Sequence, residues 1–406
     1  MKRILVLTEL YFPEETSTGY FLTKTAEGLA EEYEVKAITG PATSFLQKTI
    51  SPSHELRNNV EIFRCQGTSF DKNSLLGRII NLVTRSITIF GKTLLICQKQ
   101  DIILVVTNPP LLPFVALLIK WFKGCRLVLL IHDVYPEVLI ATGLAKPSSA
   151  IVKIGQIMNR VLYNQSDKII TLGRDMSKLA KAKLSSNKND EQICCITNWA
   201  DNDLIRPILK ANNTLLQKLK INDRFVILYA GNIGRTHGIE YLAEAAKILK
   251  KNTNIHFIVL GFGAKKKWLE EYVKNEKLES VSILPPCPRS ELMMSLNACD
   301  VALISFVPGM AGISVPSRMY NQMAAGKPII AVADDWSELA EVVREEEIGW
   351  VIPPGNVEEL VHTIELAAAN PELCAQMGAK AAAVARSKYD FTQTDKAYKK
   401  LFGELC

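Results

Sequence analysis

Short apolar, β-branched runs alternate with longer stretches of helical spacing, and the chain plays this rhythm twice. In the first half the runs fall at 4–7, 35–38, 60–63, 102–106, 127–131, 168–171 and 193–197; in the second at 225–229, 256–260, 281–284, 301–305, 329–332 and 350–352. Runs without polar alternation read as strands buried on both faces. Strands separated by helices form parallel sheets. The expected fold is therefore α/β, with two Rossmann-like domains whose parallel sheets face a cleft. A chain of 406 residues is also too long for one ordinary core. The rhythm places one domain over 1–203 and a second over 204–388. A terminal helix over 389–406 is expected to pack back toward the first.

Charge separates the halves. Residues 1–200 carry 24 Lys and Arg against 17 Asp and Glu, whereas the remainder carries 24 against 25. An anionic partner is expected for the first half, either a membrane surface or a phosphorylated acceptor. Nucleic acid is not expected, because no recognition motif accompanies the charge. Between 72 and 100 there is no acidic residue. Arg78, Arg85, Lys92 and Lys99 recur every seven positions, opposite Leu76, Ile79, Ile80, Val83, Ile87, Phe90 and Leu94. Two readings stand: a helix lying on anionic lipid, or a helix packed on the sheet with a basic solvent face.

Nine cysteines without CxxC spacing point to a reducing compartment and to no zinc site. The apolar run at 4–7 is too short for a signal core and reads as a first strand. No stretch is expected to reach a membrane span; the run at 111–119 is interrupted by Pro113 and stops at Lys120.

Three segments carry chemistry. The strand at 225–229 leads into Ala230, Gly231, Asn232, Ile233, Gly234 and Arg235, with a helix from about Gly238. Glycines at a strand-to-helix turn let a phosphate approach the backbone, and Arg235 offers a charge-assisted contact. A simple tight turn is the alternative. The strand at 256–260 ends in Gly261, Phe262 and Gly263, a weaker signal, and the dehydrogenase fingerprint is absent from both halves. The third segment, 315–328, starts a helix at Pro316 and Ser317 and ends it at Gly326. Arg318 in its first turn opposes the helix dipole unless an anionic ligand compensates; a solvated surface arginine is the alternative.

The 315–328 segment resembles the sugar-nucleotide segment of glycosyltransferase family 4. It is most similar to the branch with O-antigen fucosamine transferases and colanic-acid fucosyltransferases. The same likeness runs through Tyr11, Phe12, Pro13 and Glu14, through the six residues from His132 to Glu137, and through Gly231 to Gly234. It implies a GT-B fold, a retaining mechanism, no required metal or other cofactor, and a nucleotide-sugar donor held by the second domain. The first domain then takes the acceptor.

Carried onto this chain, the resemblance makes His132 the catalytic candidate. Gly231, Asn232, Arg235, Gly261, Gly263, Ser317, Arg318, Tyr320 and Asn321 become donor-binding, and Gly19, Asp133 and Glu137 acceptor-binding. Two glutamates common in relatives are replaced by Ile313 and Asn321, and a basic residue by His237. Asn321 can keep a ribose hydrogen bond as a neutral amide; Ile313 cannot replace a carboxylate. Asp201, Asn202 and Asp203 imitate a metal-binding DxD but read as linker.

The expected activity is sugar transfer from a nucleotide-sugar, UDP-linked, to a sugar or lipid-linked acceptor in cell-surface polysaccharide or glycolipid synthesis. The expected location is cytoplasmic, peripheral at the inner face of the membrane. A sugar-nucleotide 2-epimerase of the same fold and a non-catalytic donor-binding subunit are the rivals.

Overall fold

The computed structural model describes residues 2–41, 51–70, 75–185 and 190–405. The first sheet contains β1 (Arg3–Thr8), β2 (Glu34–Thr39), β3 (His54–Arg57), β4 (Val60–Arg64), β5 (Ile102–Val106), β6 (Arg126–Leu130), β7 (Lys168–Thr171) and β8 (Ile193–Cys195). Their spatial order is β3-β4-β2-β1-β5-β6-β7-β8. Every pairing is parallel except β3 with β4. In β1, Ile4, Leu5, Val6 and Leu7 are fully buried, because helices cover both sides of the sheet.

The second sheet contains β9 (Phe225–Asn232), β10 (Ile255–Phe262), β11 (Val281–Leu284), β12 (Val301–Ser305), β13 (Ile329–Val332) and β14 (Gly349–Ile352). It is wholly parallel, in the order β11-β10-β9-β12-β13-β14. Ile227, Tyr229, Phe257 and Val259 close a core with Ile239 and Leu242 of the helix Ile239–Ile248. Both strand orders reverse direction beside the first strand of the sheet, at β1/β5 and at β9/β12. Ligands of open parallel sheets lie beyond the carboxyl ends at such points.

One compact unit comprises Met1–Glu137, Lys146–Thr197 and Thr394–Cys406, the other Val138–Ala145 and Asn198–Gln393. Within the first, the end of the helix Phe391–Glu404 is fixed by Phe402, which is fully buried with its ring 6.4 Å from Tyr33. Lys399 adds an ion pair to Glu31 at 2.6 Å. Within the second, the segment around Asp201 is tied down: Ala200 N donates to Tyr389 O at 2.7 Å, and Asn202 Nδ2 to Asp390 Oδ2 at 3.1 Å. Asp201 also pairs with Arg289. Its carboxylate is thus spent on the fold, as the linker reading of this DxD imitation requires.

Two expectations about the basic helix need correction. The helix spans Leu75–Ile96; Lys72 to Ser74, and the side chain of Arg78, lie outside the described residues. Arg85 and Lys92, the members of the basic row whose side chains are described within the helix, do not form a solvent face. Arg85 is only 9% exposed and pairs with Glu9, and Lys92 sits 4.3 Å over the Phe63 ring. Asn81 is buried as well and clasps Phe70 through both main-chain polar groups at 2.9 Å. Apart from Thr88, the exposed residues of the helix whose side chains are described are apolar. The window Ile79–Ile96 is also long and apolar enough, by composition, to cross a bilayer. A search for uninterrupted apolar runs passes over it because Arg85 and Lys92 break the run.

Candidate functional site

In the second unit, β9 and β10 run side by side to their carboxyl ends, where Gly231 is registered against Gly261. Only a missing side chain permits this approach: a Cβ on Gly261 would stand 1.9 Å from Gly231 O. Gly263 repeats the crowding, with a Cβ 2.4 Å from Ile233 O. These glycines are therefore required by the backbone itself, and the same bareness leaves the peptide edge open.

Arg318 is brought to that edge. A Cβ on Gly231 would meet its Cζ at 3.1 Å, and the guanidinium lies 4.9 Å from the centroid of the Tyr229 ring. Its buried Nη1 has no hydrogen-bond partner among the described residues. A cation held on an aromatic face with a buried donor unused is prepared for an anion. Arg318 is half-buried at this edge rather than standing free in solvent. The helix it begins, Arg318–Ala324, has seven residues and no side-chain cap bond from Ser317. The charge at this edge comes chiefly from the guanidinium, not from the short helix.

His237 lies in the same neighbourhood. Burial, reinforced by Arg318 and Lys265, holds its pKa well below the ordinary histidine range. The ring is neutral; its Nδ1 is 2.9 Å from Thr236 Oγ1 and it stacks on Phe306 at 5.4 Å. The position that carries a charge in many relatives is uncharged here. Lys265, at the start of the helix Lys266–Glu276, pairs with Glu240.

The other donor candidates separate. Asn232, the last residue of β9, and Arg235, on the turn that follows, are exposed. Asn321 Oδ1 accepts from Asp201 N at 3.0 Å, so half of its amide secures the backbone. Tyr320 offers no side-chain surface to a ligand: it is fully buried with its ring 5.0 Å from Tyr389. Ile313 is buried too. Sequence reasoning missed Asp334, which follows β13. Its carboxylate accepts from Gly309 N at 3.0 Å and Ala311 N at 2.9 Å, pinning the loop after β12.

In the first unit, the segment after β1 is held open by its neighbours. Arg64 Nη2 donates to Phe12 O at 2.8 Å, Phe12 N to Thr23 Oγ1 at 3.0 Å, and Arg57 lies 3.6 Å from the Phe12 ring centroid. Gly19, expected near the acceptor, is buried in this segment. A Cβ there would meet Glu14 O at 2.8 Å, so the glycine accommodates that loop.

Thr107, after β5, organises the turn that carries the catalytic candidate. Its hydroxyl accepts from His132 N at 3.0 Å and from Asp133 N at 3.2 Å, and donates to Asp133 O at 3.0 Å. His132 itself is half-buried, with Nδ1 3.4 Å from Thr18 Oγ1. Burial lowers its pKa to about 4, so it is neutral near pH 7.

Glu137, expected at the acceptor, is committed elsewhere. It pairs at 2.5 Å with Lys183, both side chains being largely buried. Burial lowers the lysine pKa, and the glutamate partly restores it. Neither Thr107 nor Lys183 belongs to a motif, so only tertiary placement reveals them. Among the described residues, no cluster of His, Cys, Asp or Glu could hold a metal, and eight cysteines are free.

Residues 212–384, which span the Gly231 edge, the Arg318 helix and the Asp334 loop anchor, match the family of group 1 glycosyl transferases. The chain carries a group 1 glycosyl transferase domain over these residues, and the relatives it matches are named glycosyltransferases. It is 29% identical over 366 residues to the probable glycosyltransferase WbjE of Pseudomonas aeruginosa, covering 90% of this chain and 89% of WbjE. It is 26% identical to WcaI of Escherichia coli K12, named as a colanic acid biosynthesis glycosyl transferase, over 91% and 93% of the two chains.

The fold of this glycosyltransferase is GT-B. Sucrose-phosphate synthase from Thermosynechococcus elongatus superposes with a TM-score of 0.81 at 16% identity, over 100% of this chain and 99% of that one. HepE of Anabaena, solved with UDP-glucose, gives 0.75 at 16% identity over the full length of both. The reading of the motifs as those of a GT-B glycosyltransferase agrees with this domain and this fold.

Proposed function

We propose that this glycosyltransferase moves a sugar from a UDP-linked donor, with retention at the anomeric carbon, to an acceptor in cell-surface polysaccharide or glycolipid synthesis. The observation that carries the donor assignment is the Arg318 guanidinium against the bare Gly231 edge, with a buried donor unused. A diphosphate satisfies that donor and the charge together. The UDP preference is supported by HepE, which was solved with UDP-glucose and with UDP. The names of WbjE and WcaI support glycosyl transfer, and that of WcaI supports polysaccharide synthesis. Retention, a lipid-linked acceptor, a metal-independent reaction and a cytoplasmic location follow from the family resemblance.

In this reading the bond between the anomeric carbon and the diphosphate oxygen breaks. A bond to the acceptor oxygen forms on the same face, and the acceptor proton passes to the departing phosphate. Arg318 stabilises the charge that develops on the leaving group, with Arg235 and Lys265 as further cations of this unit. Gly231, Asn232, Gly261 and Gly263 admit the phosphates to the backbone; Asn321 and Ser317 flank them. His132, neutral and fixed by Thr107, contacts the transferring sugar as a hydrogen-bonding group, and Asp133 orients the acceptor.

Thermal shift with UDP-, GDP- and dTDP-sugars tests the donor class, because a ligand of the native state raises its melting temperature. A rise with UDP-sugars, unchanged by EDTA, is expected. A shift confined to GDP- or dTDP-sugars, or abolished by EDTA, overturns the assignment. Incubation with donor alone separates transfer from 2-epimerisation, since only an epimerase turns the donor's sugar into its 2-epimer.

A further inference from the structure

We propose that the first unit docks on an anionic lipid bilayer through an apolar face shared by three helices, Leu75–Ile96, Leu112–Lys123 and Ala150–Gln165. Right-handed crossovers put them together: each connects strands in the direction from β4 toward β7, so all three lie on one side of the sheet. They pack side by side, the first against the second and the second against the third.

Their outward residues are the wrong kind for water. On the first helix Ile79 and Ile87 are 47% and 61% exposed, whereas Asn81, Arg85 and Thr93 are buried against the domain. This helix is amphipathic with its polar side inward. The second helix continues the face with Trp121 and Phe122, and the Phe90 and Phe122 rings meet edge to face at 6.4 Å. The third adds Ile154 and Ile157, 56% and 65% exposed. Apolar surface extending over three neighbouring helices marks an interaction site rather than ordinary surface scatter.

Charge selects the occupant. None of the three helices contains an Asp or Glu, and together they contain seven Lys and Arg, of which Arg85 and Lys120 are paired with Glu9 and Asp167. Lys153 and Arg160 are exposed on the same helix as Ile154 and Ile157. Apolar side chains that enter the acyl boundary, interleaved with cations that stay at the headgroups, match an anionic leaflet. The helix Leu75–Ile96 does not leave the domain to span the bilayer, because the Asn81 and Arg85 bonds hold its inner side. It lies in the interface plane instead.

Flotation of the full chain with vesicles tests this. Binding to mixed phosphatidylglycerol and phosphatidylcholine vesicles is expected, with little to phosphatidylcholine alone. The exposed triple substitution Ile79→Ser, Val83→Ser, Ile87→Ser should lower partitioning about tenfold or more without lowering the melting temperature. If that variant does not fold, Ile154→Ser with Ile157→Ser on the third helix is the equivalent test. Lys153→Glu with Arg160→Glu should remove the preference for anionic vesicles. A chain that stays lipid-free at every composition overturns the proposal, as does a folded apolar variant that floats like wild type. So does light scattering that shows a stable dimer dissociated by the serine substitutions, because a second copy then covers the face.

Discussion

Arg318 carries the donor side of the account through one guanidinium. Arg318→Ala should weaken UDP binding by about 1.5–3 kcal/mol, the range for hydrogen bonds to a charged group. Titration calorimetry reads it directly, and unchanged affinity would return the residue to a structural role. Histidines supply a second test at this scale. His132, with its pKa near 4, stays neutral in the folded chain while its unfolded counterpart gains a proton below about pH 6.5. The unfolded state then binds more protons, so stability falls as pH drops from about 6.5 to 4. His256, also lowered to about 4 by burial, acts in the same direction. Thermal melts should show the loss, and His132→Asn should lessen it by roughly 1–3 kcal/mol at the acid end. A variant that loses as much stability as wild type over that range would show that His132 titrates normally. The sequence held the motif residues but not their partners. Thr107 and Lys183 act through contacts 25 and 46 positions away from His132 and Glu137, and no local spacing records such a pairing.

Elements explain which parts of the chain were readable. Buried parallel strands such as β5 and β10 announce themselves as continuous apolar runs. β3 did not, because it is an edge strand of His54, Glu55, Leu56 and Arg57 with no face to bury. The helix Leu75–Ile96 gave its stripe but not its orientation: periodicity locates an apolar face and does not say which side meets the sheet. Glu137 and Lys183 join the segment carrying His132 to the helix Arg174–Lys183. Lys183→Ala leaves the carboxylate buried and alone, and should cost about 3 kcal/mol, at the low end for breaking a buried pair. Chemical denaturation measures it; a cost below about 0.5 kcal/mol would mean that the pair is solvated like a surface bridge. Gly261→Ala should be comparably damaging, because the methyl would drive β10 away from Gly231 O.

At the scale of the molecule, the chain builds the GT-B fold from two sheets that each reverse strand order beside their first strand. Its last residues complete the first unit rather than trailing from the second. Deleting 394–406 removes Tyr398, Leu401 and Phe402 from that unit's core. Hydrogen exchange should then rise in β1 and β2 while β9 and β10 stay protected; uniform loss of protection would show that the units unfold together.

In the proposed function, His132 acts on the transferring sugar of a UDP-linked donor. Release of UDP from a UDP-sugar, compared between wild type and a folded His132→Ala variant of matched UDP affinity, tests it most directly. Turnover should fall by one to several orders of magnitude with UDP affinity unchanged within a few fold. Wild-type turnover in the folded variant would contradict it.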